Sequence, residues 1–331
     1  MIITRTPFRI SFFGGGTDYP IWYKENGGKV LSTSINKYCH LICRRLPPFF
    51  SHKHRIVYSK TELPSSIDEI DHPSVRETLR FLKWKDGIEI VHYGDLPHMT
   101  GIGSSSSFTV GLLHSLYGLR GEMKTKDQLA LDAIHVEQNL IKESVGSQDQ
   151  TAAAFGGLNK IEFGGPQTIT VNPVILSSEK LQNLQNHLMM FFTGFSRKAS
   201  RIAAEQIKKT PQKGSELKIM EQMVDEAVGT LHHSQNIREF GKLLHQGWLL
   251  KKSLTSKISN PVIDDIYQTG LSAGAIGGKL LGAGGGGFML FFAPPELHSK
   301  LKLKLKKLVQ VPFEFENSGS QIIYYSPSKH Y

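Results

Sequence analysis

Apolar residues recur along this chain at two spacings, and the switches between them outline its elements. "RISFF" and "KVLSTSI" carry the β-rich composition of early strands, and "GIEIVHYGDL" predicts a strand that runs into a glycine- and serine-rich loop. From Ser104 to about Leu119 the period changes to that of a helix, with Phe108, Leu112, Leu113, Leu116 and Tyr117 on one stripe. A second helix is predicted over about Lys126 to Lys142, and a third from near Gln148. The stretch "GGLNKIEFGGPQTITVNPV" is rich in Gly and Pro and reads as a connection. Beyond it a new series begins: the strand "HLMMFFTG", helices through the middle, the strand "GGFMLFFA", a lysine-rich helix, and the strands "FEFE" and "IIYYS". The change places a domain boundary between residues 165 and 185, dividing the chain into 1–175 and 176–331. The pattern shows neither an internal repeat nor a low-complexity tract.

With 331 residues the chain is long enough for two well-buried domains. No apolar run approaches the roughly 20 residues of a membrane helix, and the first residues lack the apolar segment of a secretion signal. A cytoplasmic protein is therefore expected. Two cysteines, Cys39 and Cys43, fit a reducing compartment and exclude a disulfide framework. His52/His54 and His232/His233 lack zinc-site spacing and read as solvated surface. Lys and Arg number 39 against 29 Asp and Glu, a net charge of +10 that favours anionic partners. In "HSKLKLKLKKLVQV", Leu297, Leu301, Leu305 and Leu308 form one face and the lysines the other, as in a solvated helix. Basic and aromatic residues do not interleave, which argues against nucleic acid.

The loop "LPHMTGIGSSSSF", residues 96 to 108, stands between a strand and a striped helix. Glycines admit a close ligand, and the first turn of a helix offers unpartnered N–H groups at the positive end of its dipole, so a phosphate suits it. Helix capping explains one serine; four after GxG exceed that need. No lysine follows the glycines, so this is not a P-loop. "GAGGGG", residues 282 to 287, satisfies GxGxxG, but the apolar strand that follows stands where a dinucleotide fold requires a helix. Those glycines are expected to let another segment pack close or to close over the ligand.

Glu137 falls within the buried stripe formed by Leu129, Ala130, Ala133, Ile134, Leu140 and Ile141. A carboxylate there needs a partner, either a structural arginine or a magnesium ion shared with substrate phosphates. Asp149, in "GSQDQTAAAFGG", lies at the start of the third helix, where the dipole favours negative charge. In "TPFRISFFGGGTDYP", Arg9 sits among apolar strand residues, and Gly14–Gly16 precede Thr17 and Asp18. This segment reads either as a plain glycine turn or as a sugar-binding loop. Ser196, Arg197 and Lys198 form a basic turn that suits a second, non-reacting phosphate or equally a bare surface.

Three of these segments, in order, resemble the motifs of the GHMP kinases: "TPFRISFFGGGTDY", "LPHMTGIGSSSS" and "KLLGAGGGGFMLFF". The resemblance spans essentially the whole chain. Within that group, "GGGTDYP" and "VGSQDQTAAAFGG" are most similar to bacterial D-glycero-D-manno-heptose 7-phosphate kinases, with part shared by L-fucokinase. Gly15-Gly16 stands where galactokinase has Glu-His, which speaks against galactose. The resemblance implies an α+β protein with an N-terminal ribosomal-protein-S5-domain-2-like domain and a C-terminal ferredoxin-like domain, the site lying between them. It implies that Gly101, Gly103, Ser104, Ser105 and Ser106 wrap the phosphates of ATP and that Ser105 and Glu137 hold Mg2+. Asp149 would take the proton of the attacking hydroxyl, with Arg9 orienting it. Gly16, Thr17, Asp18 and Arg197 would hold the substrate, and Gly282, Gly284, Gly285 and Gly286 make the third motif. The implied reaction phosphorylates the anomeric hydroxyl of heptose 7-phosphate, in a monomer or homodimer with no nucleic-acid or membrane partner. A kinase of a free sugar such as L-fucose and a non-catalytic sugar sensor are the competing readings.

Overall fold

The structure, a computed structural model, describes residues 1–98, 100–164, 169–195 and 199–327. Its first strand, Ile2–Phe13, alternates buried and half-buried residues as far as Thr6 and is wholly buried from there on. The alternation ends because the second half is covered on both faces. The Ser104–Leu119 helix lies on one side and helices of the C-terminal half lie on the other. That helix has the bounds its stripe predicted, and its apolar residues Phe108, Leu112, Leu113, Leu116 and Tyr117 are all buried.

The long strand Gly28–Arg45 organises a nine-stranded sheet. One edge pairs antiparallel with Ile2–Phe13, from Ile2 opposite Cys43 to Phe13 opposite Leu31. The other edge pairs first with Leu158–Phe163 and then with Ile88–Gly94. Phe315–Glu316 fills the gap between them, opposite Ser34 and Ile35. A second antiparallel sheet has the order Val309–Val311, Leu188–Phe192, Phe288–Phe292, Gly277–Leu280. The helix Arg238–Leu254 packs on it.

Several elements differ from expectation. The glycine- and proline-rich stretch contains a hairpin, Leu158–Phe163 with Ile169–Pro173, which belongs to the first sheet. Its apolar alternation is short and bounded by glycine pairs, so composition outweighed period. The second helix is α-helical only over Lys126–Ile134 and continues as a π-helical turn, His135–Leu140. The lysine-rich helix is confined to His298–Lys304, with Leu301 and Leu305 buried beneath exposed lysines. His54 is buried in a strand, and burial lowers its pKa to about 4.

A division of the chain at residue 175 also misses the last segment. Gln321–Tyr325 returns to pair with Ile2–Arg5, so the C-terminal strands complete the N-terminal sheet. The two halves share one hydrophobic core. Phe12 and Phe13 meet Phe240 edge-on, with ring centroids 5.6 and 5.2 Å apart, where the first strand reaches the C-terminal half.

Candidate active site

The first strand, the phosphate loop, the helix Gln148–Phe155 and the glycine loop after Leu281 all border one cavity of about 630 Å³. Arg9, buried in the strand, sends its guanidinium across it. Its Nε and Nη2 donate to Asp149 Oδ1 at 2.8 and 2.7 Å, and its Nη1 donates to the carbonyl of Gly101 at 2.7 Å. Asp149, in the first turn of its helix, keeps about a quarter of its side chain exposed at the cavity wall. A carboxylate held this way can accept a proton from a hydroxyl placed in the cavity.

The phosphate loop takes its shape from contact with the third motif. Gly101 has φ +82° and Gly282 φ +72°, both in the left-handed region. A Cβ on Gly101 would lie 2.3 Å from the carbonyl oxygen of Leu281, and one on Gly282 would lie 2.3 Å from Gly101 Cα. The close-packing role expected for the third motif is therefore served at Gly282. Gly287 likewise packs against Thr100 of the loop, whereas Gly284 and Gly285 pack against Ile258 and Gly286 against Phe195. Gly103 precedes the Ser104–Leu119 helix in the left-handed conformation, which opens the helix N-terminus to the cavity. Gly101, Gly103, Ser104, Ser105 and Ser106 all line it. Ser107 turns inward instead, donating to the carbonyl of Pro7 at 2.8 Å.

Glu137 sits on the π-helical turn and is fully buried. Among the described residues no arginine pairs with it. Its Oε2 accepts from Ser106 Oγ at 2.8 Å and from Gln150 Nε2, while its Oε1 is buried with no partner. Burial pushes its pKa up to about 7, against the nearby Thr109 hydroxyl and the hydrogen bonds from Ser106 and Gln150, which favour the carboxylate. Ser105, expected to hold Mg2+ with Glu137, borders the same cavity, while the serine hydroxyl that bonds to the Glu137 carboxylate is that of Ser106. Successive residues in the first helical turn point about 100° apart, so Ser106 faces inward while Ser105 is exposed. An unpartnered carboxylate oxygen beside a hydroxyl and the phosphate loop suits a hard divalent cation such as Mg2+. Among the described residues no cluster of three or more His, Cys, Asp or Glu is placed to hold a metal unaided.

Asp18 is buried at the cavity wall, its carboxylate accepting from Gly16 N at 2.9 Å and Gln148 N at 3.3 Å. Burial raises its pKa, and the charge of Asp149 adds to the rise. Thr17, expected to touch substrate, does not border the cavity. Its hydroxyl closes the glycine turn by donating to the carbonyls of Gly14 at 2.8 Å and Lys29 at 2.9 Å. Arg197 lies outside the described residues.

Four buried side chains at the cavity were not anticipated: Gln148, Gln206, Lys251 and Lys279. Lys251 carried the same signal as Glu137, a charge in an apolar stripe, here between Trp248 and Leu254. Nothing in the local pattern marked the other three.

Fold and site together suit a phosphotransferase, with a glycine- and serine-rich helix N-terminus and the Asp149 carboxylate bordering one cavity. Two family models match the chain, GHMP kinases N terminal domain over residues 74–157 and GHMP kinases C terminal over residues 226–309. The chain belongs to the GHMP kinases. Over 321 residues it is 29% identical to the D-glycero-alpha-D-manno-heptose 7-phosphate kinase of Campylobacter jejuni, covering 92% of this chain and 93% of that protein. It is 24% identical to the bifunctional fucokinase/GDP-fucose pyrophosphorylase of Arabidopsis thaliana, over 94% of this chain and 31% of that one. A solved D-glycero-D-manno-heptose 1-phosphate kinase from "Bacteriodes thetaiotaomicron" shares the fold, with TM-score 0.76 at 23% identity over 98% of this chain and 100% of that one.

Proposed function

We propose that this protein is a sugar kinase that transfers the γ-phosphoryl group of ATP to the anomeric hydroxyl of D-glycero-D-manno-heptose 7-phosphate, yielding the 1,7-bisphosphate and ADP. The observation that carries the reading is the Arg9 guanidinium, which joins Asp149 to Gly101 and so sets the proton acceptor beside the phosphate loop. Gly101, Gly103 and Ser104–Ser106 receive the nucleotide phosphates; Ser106 and Glu137 would hold Mg2+, which supplies charge neutralisation when bound. Asp149 takes the hydroxyl proton as the oxygen attacks.

The sugar end of the cavity supports a polyol. Among the described residues Ser11 Oγ, Gln148 Oε1 and Gln206 Nε2 are buried there without partners, and Asp18 stands among them. Buried polar atoms left unpaired favour a ligand that pairs them. The Campylobacter jejuni relative supports the heptose phosphate as that ligand. The reading is tested by ADP release over a panel of heptose 7-phosphate, free heptose, L-fucose and galactose. The highest kcat/KM is expected for heptose 7-phosphate. Preference for L-fucose would replace the substrate, and no ADP release on any sugar, with nucleotide binding intact, would favour a sensor.

A further inference from the structure

Three buried cations border the cavity: Arg9, Lys251 and Lys279. Each is satisfied differently. Arg9 is committed to Asp149 and Gly101. Lys279 Nζ is spent on the carbonyls of Ser11 and Phe12, at 2.7 Å each, and pins the end of the first strand to the second sheet. Among the described residues Lys251 has one hydrogen-bond acceptor, the carbonyl of Gly282, and no ion pair. An ammonium with N–H groups left over in a buried position calls for an anion. The carboxylates nearby are already engaged, Asp149 by Arg9 and Asp18 by the amides of Gly16 and Gln148. The anchor of Lys251 is also informative, because Gly282 is the residue packed against Gly101 of the phosphate loop.

We propose that Lys251 donates to the non-bridging oxygens of the phosphoryl group as it passes from ATP to the acceptor, beside the phosphate loop that Arg9 ties to Asp149. The proposal rests on the kinase reading above. In the step it serves, the acceptor oxygen bonds to the γ-phosphorus, the bond from that phosphorus to the ADP oxygen breaks with its electron pair leaving on ADP, and the hydroxyl proton passes to Asp149. The charged groups facing Lys251 are Arg9, Asp18, Asp149 and Lys279. Burial, then the charge of Arg9, lower the Lys251 pKa to about 8, with Asp18 and Asp149 opposing. An arriving phosphate reverses that balance, so the amine takes up a proton as nucleotide binds.

Calorimetric titration with magnesium ATPγS at pH 8.5, without sugar, in buffers of different ionisation heat, tests this directly. The wild type should take up as much as about 0.75 proton, the share of an amine of pKa about 8 that is neutral at that pH. Lys251→Arg should bind with no such uptake. Turnover is then read on whichever sugar the wild type phosphorylates. Lys251→Met should lose roughly 100-fold or more in kcat, with acceptor KM within about threefold. Lys251→Arg should recover at least about tenfold of that loss and lack the fall in kcat/KM for ATP above about pH 8 expected of the wild type. No proton uptake in the wild type, unchanged uptake in Lys251→Arg, or kcat within about threefold in Lys251→Met would each overturn the proposal. A wild type active on a sugar other than heptose 7-phosphate would sink the substrate assignment and leave Lys251 where it stands.

Discussion

Arg9 grips a single oxygen of Asp149 with two of its nitrogens, Nε at 2.8 Å and Nη2 at 2.7 Å, and leaves Asp149 Oδ2 outside that pair. The third nitrogen holds Gly101, so the base and the phosphate loop share one rigid anchor. Asp149→Asn keeps the shape and removes the proton acceptor. It should cost about 10²–10⁴ in kcat while ATPγS binding stays within a few fold. Near-normal turnover would remove Asp149 from the base role. Arg9→Lys keeps the charge but cannot reach both partners with a planar fork, and it should lower kcat by roughly 10-fold or more.

Glu137 makes metal-free stability depend on pH in a direction that can be stated. Its folded pKa, about 7, is raised above the ordinary 4.5 by burial. The proton it keeps on folding therefore stabilises fully below 4.5, and that contribution is lost as pH rises through about 7. The loss amounts to about 3 kcal/mol at most, from 1.36 kcal/mol per unit. Urea unfolding of the protein in chelator should show this decline between pH 4.5 and 7, and Glu137→Gln should lack it. The same variant should need more magnesium for half-maximal turnover; an unchanged magnesium titration would refute the ligand assignment.

Gly282→Ala tests the contact between the third motif and the phosphate loop. The added Cβ meets Gly101 Cα at 2.3 Å at a backbone φ of +72°. Strain there should cost about 1–3 kcal/mol, divided between stability and loop geometry. Thermal melting and ATPγS affinity should both fall, and a variant that melts and binds like the wild type would show that the loop does not depend on this contact.

Phe240→Ala addresses the shared core. Phe240 is fully buried against Phe12 and Phe13, and its truncation should destabilise by about 3–5 kcal/mol. Because both halves bury residues in one cluster, wild-type unfolding should be a single transition by fluorescence and by circular dichroism. Two separated transitions in the wild type would contradict that arrangement.

Period located the Ser104–Leu119 helix, because its apolar stripe repeats over several turns, although packing buries the helix well beyond that stripe. The same logic singled out Glu137 as a charge on the wrong side of its helix. Short elements were harder to read. The hairpin after Leu158 was obscured by its glycines, and the hydrogen bond from Ser106 to Glu137 had no local sign. One residue along a helix is a rotation of about 100°, and no local pattern among four consecutive serines says which of them meets a distant side chain.

The proton-accepting role of Asp149 came from the resemblance to the GHMP kinases, while the order of residues by itself marked a glycine- and serine-rich helix start suited to phosphate and a buried acid in need of a cation. Those readings rest on local backbone geometry and on the cost of burying charge, both legible over a few positions. Only the tertiary structure decided which groups meet. Arg9 and Asp149 are 140 positions apart, Lys279 reaches strand carbonyls more than 260 positions away, and Gln321–Tyr325 crosses back to the first strand. Such contacts are chosen by the packing of two sheets around a common core, and packing is a property of the whole chain.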